Sequence, residues 1–225
     1  MRILGITDIH GRIEFLKIIS DELKEADLIL VSGDITHFGG KEEALSVIKD
    51  IRNLNKKVFV VPGNCDYPEA QSFLTSEGIN LHGKCVLYRD YVLAGVGGSL
   101  TCPGRTPNEH SEEKFRIYLE NIKMEISQHL PLIFVSHQPP VDTVCDLVRN
   151  GMHVGSKSIR DFIIDTQPAL CLTGHIHEGR GVDSIGNTVV VNPGPLHYEG
   201  YVMVDLNRGV ERLKLMKGRK IISGL

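Results

Sequence analysis

Three short runs, Arg2–Ile6 (RILGI), Leu28–Ser32 (LILVS) and Val58–Val61 (VFVV), are continuously apolar rather than alternating. The segments between them carry apolar residues at helical spacing: Phe15, Leu16, Ile19 and Leu23 within Ile13–Ala26, and Ala44, Val47, Ile48 and Ile51 within Lys41–Leu54. A strand apolar on both sides must be covered on both faces, so this β-α-β-α-β order predicts a parallel sheet under helices.

Further along, CVLYRDYVLAGVGG predicts a hairpin turning at Arg89-Asp90. SLTCPGRTPNEH follows, an irregular stretch rich in Gly and Pro that predicts a loop flanking a site. Thr106, Pro107 and Glu109 form a capping-box pattern, which predicts a helix from Thr106 to about Gln128. Strands are expected at Leu132–Ser136 and Ala169–Thr173, with short helices at Thr143–Arg149 and Ser158–Asp165 between them. TVVVN, YVMVDL and VERLKLM close the chain as further strands. No repeat or linker interrupts the 225 residues, so residues 1–225 read as one domain, two packed sheets with helices outside.

A net charge of -3 excludes a strongly basic nucleic-acid binder, and no duplex partner is expected. No apolar run approaches the roughly 18 residues that span a bilayer, so no membrane partner is expected either. Asp8 comes too early for a secretory signal. Five cysteines, an odd number without a C-x-x-C pair, signal neither a disulfide framework nor a zinc knuckle, and a reducing cytoplasm is the expected location.

The chemistry collects where strands end. RILGIT is followed by Asp8-Ile9-His10, LILVS by Gly33-Asp34, VFVVP by Gly63-Asn64, LIFVS by His137, and ALCLT by Gly174-His175-Ile176-His177. Carboxyl ends of strands are where α/β sheets gather functional groups. Five such ends supplying carboxylate, imidazole and amide suit a two-metal centre. Asp8 and His10, like His175 and His177, are two apart, so each pair points one way if the backbone is extended. Mixed oxygen and nitrogen donors favour manganese, iron, zinc or nickel over calcium or magnesium, and Asp34 is a carboxylate that could bridge two ions.

The sequence D-x-H, G-D, G-N, H, G-H-x-H resembles the signature of the calcineurin-like metallophosphoesterases, and the resemblance spans Asp8 to His177. Within that superfamily, TPNEHSEE, GMHVGSKSIR and NPGP look like small prokaryotic phosphoesterases of the Icc type. The resemblance implies a four-layer α/β/β/α sandwich and a dinuclear metal-dependent phosphoesterase. One divalent transition-metal ion would take Asp8, His10, Asp34 and His177; the second would take Asp34, Asn64, His137 and His175. It implies hydrolysis of small phosphate mono- or diesters, nucleotide-like ones among them, by a metal-bound hydroxide attacking in line. The same superfamily includes a protein-binding platform, so a catalytically inactive interaction module is the alternative. A retired site usually loses ligands, whereas here all seven positions are filled.

One position departs from the family pattern. Many members place histidine after Gly-Asn, where it can protonate a leaving group; this chain has Cys65. A thiol titrates near 8.5 and is a poorer donor, which favours esters with good leaving groups. A cysteine-nucleophile phosphatase is disfavoured, because GNCDYPEA offers no phosphate-cradling loop with an arginine. Asp66 is expected to support the Asn64 turn or a ligand imidazole, and is also a candidate substrate contact. His153 and His197 are candidate substrate contacts, and Asn192 is expected to organise its own turn. His37, His82, His110 and His129 lack motif context and read as surface or structural. Cys85, Cys102, Cys145 and Cys171 read as mostly buried, with Cys102 the most exposed, and Arg105 and Arg160 as surface ion-pair partners. The sequence does not specify the oligomeric state.

Overall fold

The structure is a computed structural model that describes residues 1–126 and 129–225. The continuous apolar runs become the parallel centre of the first sheet: β1 (Arg2–Ile6), β2 (Leu28–Ser32) and β3 (Val58–Val61). Ile3 pairs with Leu28, and Ile29 with Val58. Between them lie α1 (Ser20–Glu25) and α2 (Lys41–Leu54), and α3 (Pro68–Ser76) follows β3. The second sheet is built on the hairpin β4 (Lys84–Tyr88) and β5 (Tyr91–Val96). It continues through β6 (Leu132–Ser136), β7 (Leu170–Thr173), β8 (Gly181–Ile185) and β9 (Thr188–Asn192), with α4 (Glu112–Glu125) and α5 (Lys157–Thr166) outside. The chain then returns to the first sheet with β10 (Gly200–Asn207), β11 (Gly209–Lys217) and β12 (Lys220–Gly224). The strand orders are β12-β11-β10-β1-β2-β3 and β4-β5-β6-β7-β9-β8, and both sheets are mixed.

Side-chain alternation along each strand divides the interior into three cores. In β1 and β2, Leu4, Ile6, Ile29 and Val31 face the helices α1–α3 with Leu23, Val47 and Ile51. Ile3, Leu28 and Leu30 point the other way, against Leu93, Ile133, Val135, Leu170 and Leu172 of the second sheet. Ala94, Phe134 and Cys171 face outward again, onto Phe115, Ile122, Ile159 and Phe162 of α4 and α5. Three cores separate four layers, the α/β/β/α sandwich expected above.

Several local expectations differ. Ile13–Ala26 is not one helix: Ile13–Lys17 is a 3-10 turn, Ile19 has φ -112°, and only Ser20–Glu25 is α-helical. The adjacent β-branched Ile18 and Ile19 sit at that break. Thr106 does close on Glu109, whose Oε1 accepts from both the Thr106 amide (2.7 Å) and hydroxyl (2.8 Å), but no helix starts there. The intervening backbone is already committed, with Asn108 N–H donating to Asn64 O and His110 N–H to Ser99 O. The helix begins instead after Ser111, whose hydroxyl accepts from Lys114 N–H. Its expected end at Gln128 lies outside the described residues. Of Thr143–Arg149 only Val144–Asp146 is helical, a single 3-10 turn closed by a Thr143–Asp146 capping box. The strands β8 and β12 and the helix α3 carried no expectation.

Candidate metal centre

Strands β1, β2 and β3 of one sheet and β6 and β7 of the other end at the same edge of the sandwich. There Ser32 Oγ donates to Ser136 O across the sheets (3.0 Å). Beyond β1 and β2 the two loops stay paired: Asp8 N–H donates to Gly33 O, His10 N–H to Asp34 O, and Gly11 N–H to Ile35 O. Asp8, His10, Asp34 and His175 all have positive φ, between 48° and 66°. This conformation is costly for a residue with a Cβ and persists only where the surroundings impose it, typically at functional sites. It also corrects the expectation of extended D-x-H and H-x-H pairs. The donors converge because the chain turns sharply at each ligand position, and His177 sits in a 3-10 turn, His177–Gly179. Gly174 makes the approach possible, since a Cβ there would overlap Thr7 Oγ1 and crowd Asp8 Oδ2.

The seven expected residues come together. His177 Nε2 is 3.3 Å from Asp8 Oδ1, and His10 Nε2 is 3.9 Å from the same oxygen and 3.7 Å from Asp34 Oδ2. On the other side, His137 Nε2 is 3.5 Å from Asp34 Oδ1 and 2.8 Å from Asn64 Oδ1. The His175 ring lies 5.1 Å from that of His137. Asp34 thus presents one oxygen to each half of the cluster. Donor triplets with atoms within 4.8 Å of one another are Asp8/His10/His177, His10/Asp34/Cys65 and Asp8/Asp34/His137.

The donor set fits cations. His137 Nδ1–H donates to Ser32 O (2.7 Å), so in the neutral ring Nε2 is a lone pair facing the oxygens of Asn64 and Asp34. Three acceptors aimed at one region repel unless positive charge lies between them. Asp8, Asp34 and Asp66 are fully buried, yet among the described residues neither lysine nor arginine pairs with any of them. Burial tends to raise Asp8, but its hydrogen bond to His177 and the charges of His137, His177 and His10 outweigh it and hold the carboxyl below its usual range. Asp34 is pushed up to about 7 by burial, with Asp8 and Asp66 adding to the push against the opposing charge of His137. Burial lowers His10 to about 4 and His175 to about 3, so both rings are neutral at pH 7, the form that ligates metals.

Cys65 lies beside this cluster, 7% exposed. Its N–H donates to Asp34 Oδ1 (2.8 Å), and its Sγ accepts from Asn64 Nδ2 (3.5 Å), which turns Asn64 Oδ1 toward His137. Burial, then the charge of Asp34, pushes the thiol far up. Asp66 is not placed to meet substrate. Its carboxylate accepts from Gly63 N–H, Ile35 N–H, Thr36 N–H and the Thr36 hydroxyl, joining the β2 and β3 loops. His153 likewise turns elsewhere, with Nδ1 2.7 Å from Asp146 Oδ1. His197 is at the site, its ring 6.0 Å from His177 and 6.4 Å from His10. Asn192 Oδ1 accepts from Gly194 N–H within its own turn, while its Nδ2 donates to Ile176 O and so braces the loop bearing His175 and His177.

Sequence reasoning missed His37, whose ring is 5.5 Å from His10, and the thiol of Cys102, 3.5 Å from His175 Nε2. The Gly/Pro-rich loop does flank the site, through Cys102 and through Asn108 Nδ2, which donates to Gly63 O. Arg160 is not an ion-pair residue; it donates to the carbonyls of Val141 and Asp142.

A sandwich with such a cluster at its strand ends defines the class of metallophosphoesterase folds. This chain belongs to the calcineurin-like phosphoesterase family, whose model matches residues 1–179. It is 41% identical over 208 residues to an uncharacterized protein of Methanocaldococcus jannaschii, covering 89% of this chain and 91% of that one. It is 32% identical over 200 residues to the 3',5'-cyclic adenosine monophosphate phosphodiesterase CpdA of Haemophilus influenzae, covering 85% and 69%. A crystal structure of a Thermus thermophilus protein superposes with a TM-score of 0.74 at 22% identity, over 97% of this chain and 99% of that one. Membership of this phosphoesterase family makes the chain a hydrolase, and the clusters above are its candidate metal ligands. Among the described residues no helix is long and apolar enough to cross a membrane.

Proposed function

We propose that residues 1–225 act as one domain, a dinuclear metal-dependent phosphoesterase for small phosphodiesters. The observation that carries this reading is Asp34, fully buried, with Oδ2 facing His10 and Oδ1 facing His137. A carboxylate so divided suits a bridge between two ions. Asp8, His10, Asp34 and His177 would hold one, and Asp34, Asn64, His137 and His175 the other. When bound, two divalent ions such as manganese, iron, nickel or zinc lower the pKa of a water and neutralise charge on phosphoryl oxygens.

The chain's own residues set the stage. Ser32 O fixes the His137 tautomer, and Thr7 Oγ1 donates to Asp8 Oδ2 (2.8 Å), so neither ligand has to reorient. Cys65 holds its proton and orients the Asn64 amide. His197, at the open side, is placed to meet the phosphate ester. A diester rather than a monoester is supported by the activity named for the Haemophilus relative. Five cysteines without a C-x-x-C pair support the cytoplasm as the location.

The test is elemental analysis of the purified protein together with hydrolysis of bis(4-nitrophenyl) phosphate. About two transition-metal ions per chain and turnover abolished by a chelator are expected. Protein without metal, and without turnover after loading with manganese, iron, nickel or zinc, overturns the reading.

A further inference from the structure

A cavity of about 500 Å³ opens beside the metal centre, lined by His177 and His197 together with Arg149, Arg180 and Lys217. Glu178 and Glu199 also line it, yet among the described residues none of the three basic side chains has a carboxylate within 4.0 Å. Arg180 is the informative one. Its Nε is buried and has no hydrogen-bond partner, while Nη2 donates to Tyr198 O (3.2 Å). The backbone at Gly194 (φ +72°) packs so closely against the guanidinium that a Cβ there would collide with it. Burial alone lowers it, with no acidic neighbour opposing. His197 adds a second buried donor or acceptor without a partner, Nδ1. Burial and then the positive charges of His177, Arg12 and Arg180 act on that ring, against Asp8.

Arg180 is half-buried and has no counter-ion among the described residues, so an anionic ligand in the cavity would supply the missing partner. The planar fork of arginine matches a phosphate in two-point contact. We propose that this cavity is a subsite for a second phosphate group, so that the substrate is a phosphodiester bearing a further phosphate on one of its two alcohol portions. The proposal rests on the phosphoesterase reading for the scissile ester. His177 lines the cavity and is also among the residues that would hold the first ion, so a phosphate in the cavity would lie beside that half of the cluster.

Three diesters that differ in one group separate the alternatives: 4-nitrophenyl phenyl phosphate, and its 3-carboxyphenyl and 3-phosphonophenyl analogues. The metal-loaded protein is expected to prefer the phosphonate over the unsubstituted ester by at least roughly tenfold in kcat/KM, with the carboxylate between, since charge-assisted hydrogen bonds are the strong ones. Arg180→Gln should collapse that preference through KM. Arg149→Gln and Lys217→Gln, at exposed positions that do not threaten folding, should each reduce it about threefold. Binding is read separately by calorimetric titration of metal-free protein with phenylphosphonate, where binding to the wild type and loss in Arg180→Gln are expected. Equal handling of the three esters, or a preference that survives all three substitutions, overturns the subsite while leaving the phosphoesterase reading intact. If no ester is turned over but phenylphosphonate binds and depends on Arg180, the phosphoesterase reading and the diester substrate fall, and the cavity stands as a phosphate-binding site alone. If phenylphosphonate does not bind in that case, both fall.

Discussion

Among the described residues, clustered histidines form two groups, and only one looks like a metal centre. At the strand ends His10, His137, His175 and His177 surround Asp8 and Asp34. Beside the second sheet, His82 and His110 lie 5.7 Å apart and pack on Tyr118, with Phe115 next to His110 and Lys114 Nζ 4.9 Å above the Tyr118 ring. Among the described residues, no carboxylate enters that second group's contacts. Burial, helped by Lys114, lowers both rings, His82 to about 4. His82 Nδ1 accepts from Gly97 N–H (2.8 Å), which requires the neutral form. In the first group the hydrogen bond from His177 to Asp8 overcomes burial and raises His177. Imidazoles alone pack as aromatic residues; it is the buried carboxylate between them that makes a site for positive charge.

The largest expected effect falls on the first group alone. Asp34→Asn keeps the shape but removes the charge shared by both halves. It should lower metal content and turnover together, by more than the roughly 100-fold that loss of an outer-sphere partner costs. His82→Gln should leave both unchanged. The next effect reverses the roles. His82 titrates near 4 when folded and near 6.5 when unfolded, so the unfolded chain binds more protons between those values and stability falls as pH drops through that window. The loss is up to about 3 kcal/mol. Urea unfolding from pH 7 to pH 4 should show a flatter profile for His82→Gln than for the wild type; parallel profiles would place the acid sensitivity elsewhere. Smaller again, ion for ion, is the effect of chelation. Each ion at about 100 times its dissociation constant contributes about 2.7 kcal/mol, or roughly 5–10 °C in Tm for a chain of this size. Chelator should remove that increment from the wild type and nothing from Asp34→Asn.

The contrast also marks what the sequence could convey. Strand ends were legible because a continuous apolar run that stops at Asp8, Asp34, Asn64, His137 or His175 states both a buried strand and the polar group at its tip. The way those groups converge was not legible, since positive φ at Asp8, His10, Asp34 and His175 is imposed by pairing between loops. His37 had no motif and reaches His10 only because the chain bends at Asp34 and Phe38, both with positive φ. Cys102 and Arg149 come from loops distant in sequence from the residues they approach. Arg180 is different: it stands three residues after His177, and the 3-10 turn His177–Gly179 delivers it to the same cavity. His153 was a reasonable candidate by position and was claimed by Asp146, a choice made by tertiary structure alone.

Cys65 is the least expected member of the first group and carries the smallest predicted effect. If it were a proton donor standing in for histidine, its substitution would hurt esters with poor leaving groups most. Its contacts favour a different role, holding the Asn64 amide. Its sulfur accepts from Asn64 Nδ2, and its proton is held firmly by burial next to Asp34. A hydroxyl can accept the same hydrogen bond, so Cys65→Ser should cost only a few-fold on aryl and alkyl diesters alike. Cys65→Ala removes the acceptor and frees the Asn64 amide to rotate. It should lower affinity for one of two ions by about tenfold, the lower end of outer-sphere losses, with turnover restored by added metal. Equilibrium dialysis across metal concentrations reads the affinity, and a leaving-group series reads the chemistry. A loss in Cys65→Ser that grows with leaving-group pKa while both ions stay bound would return the thiol to the proton-donor role and detach it from Asn64.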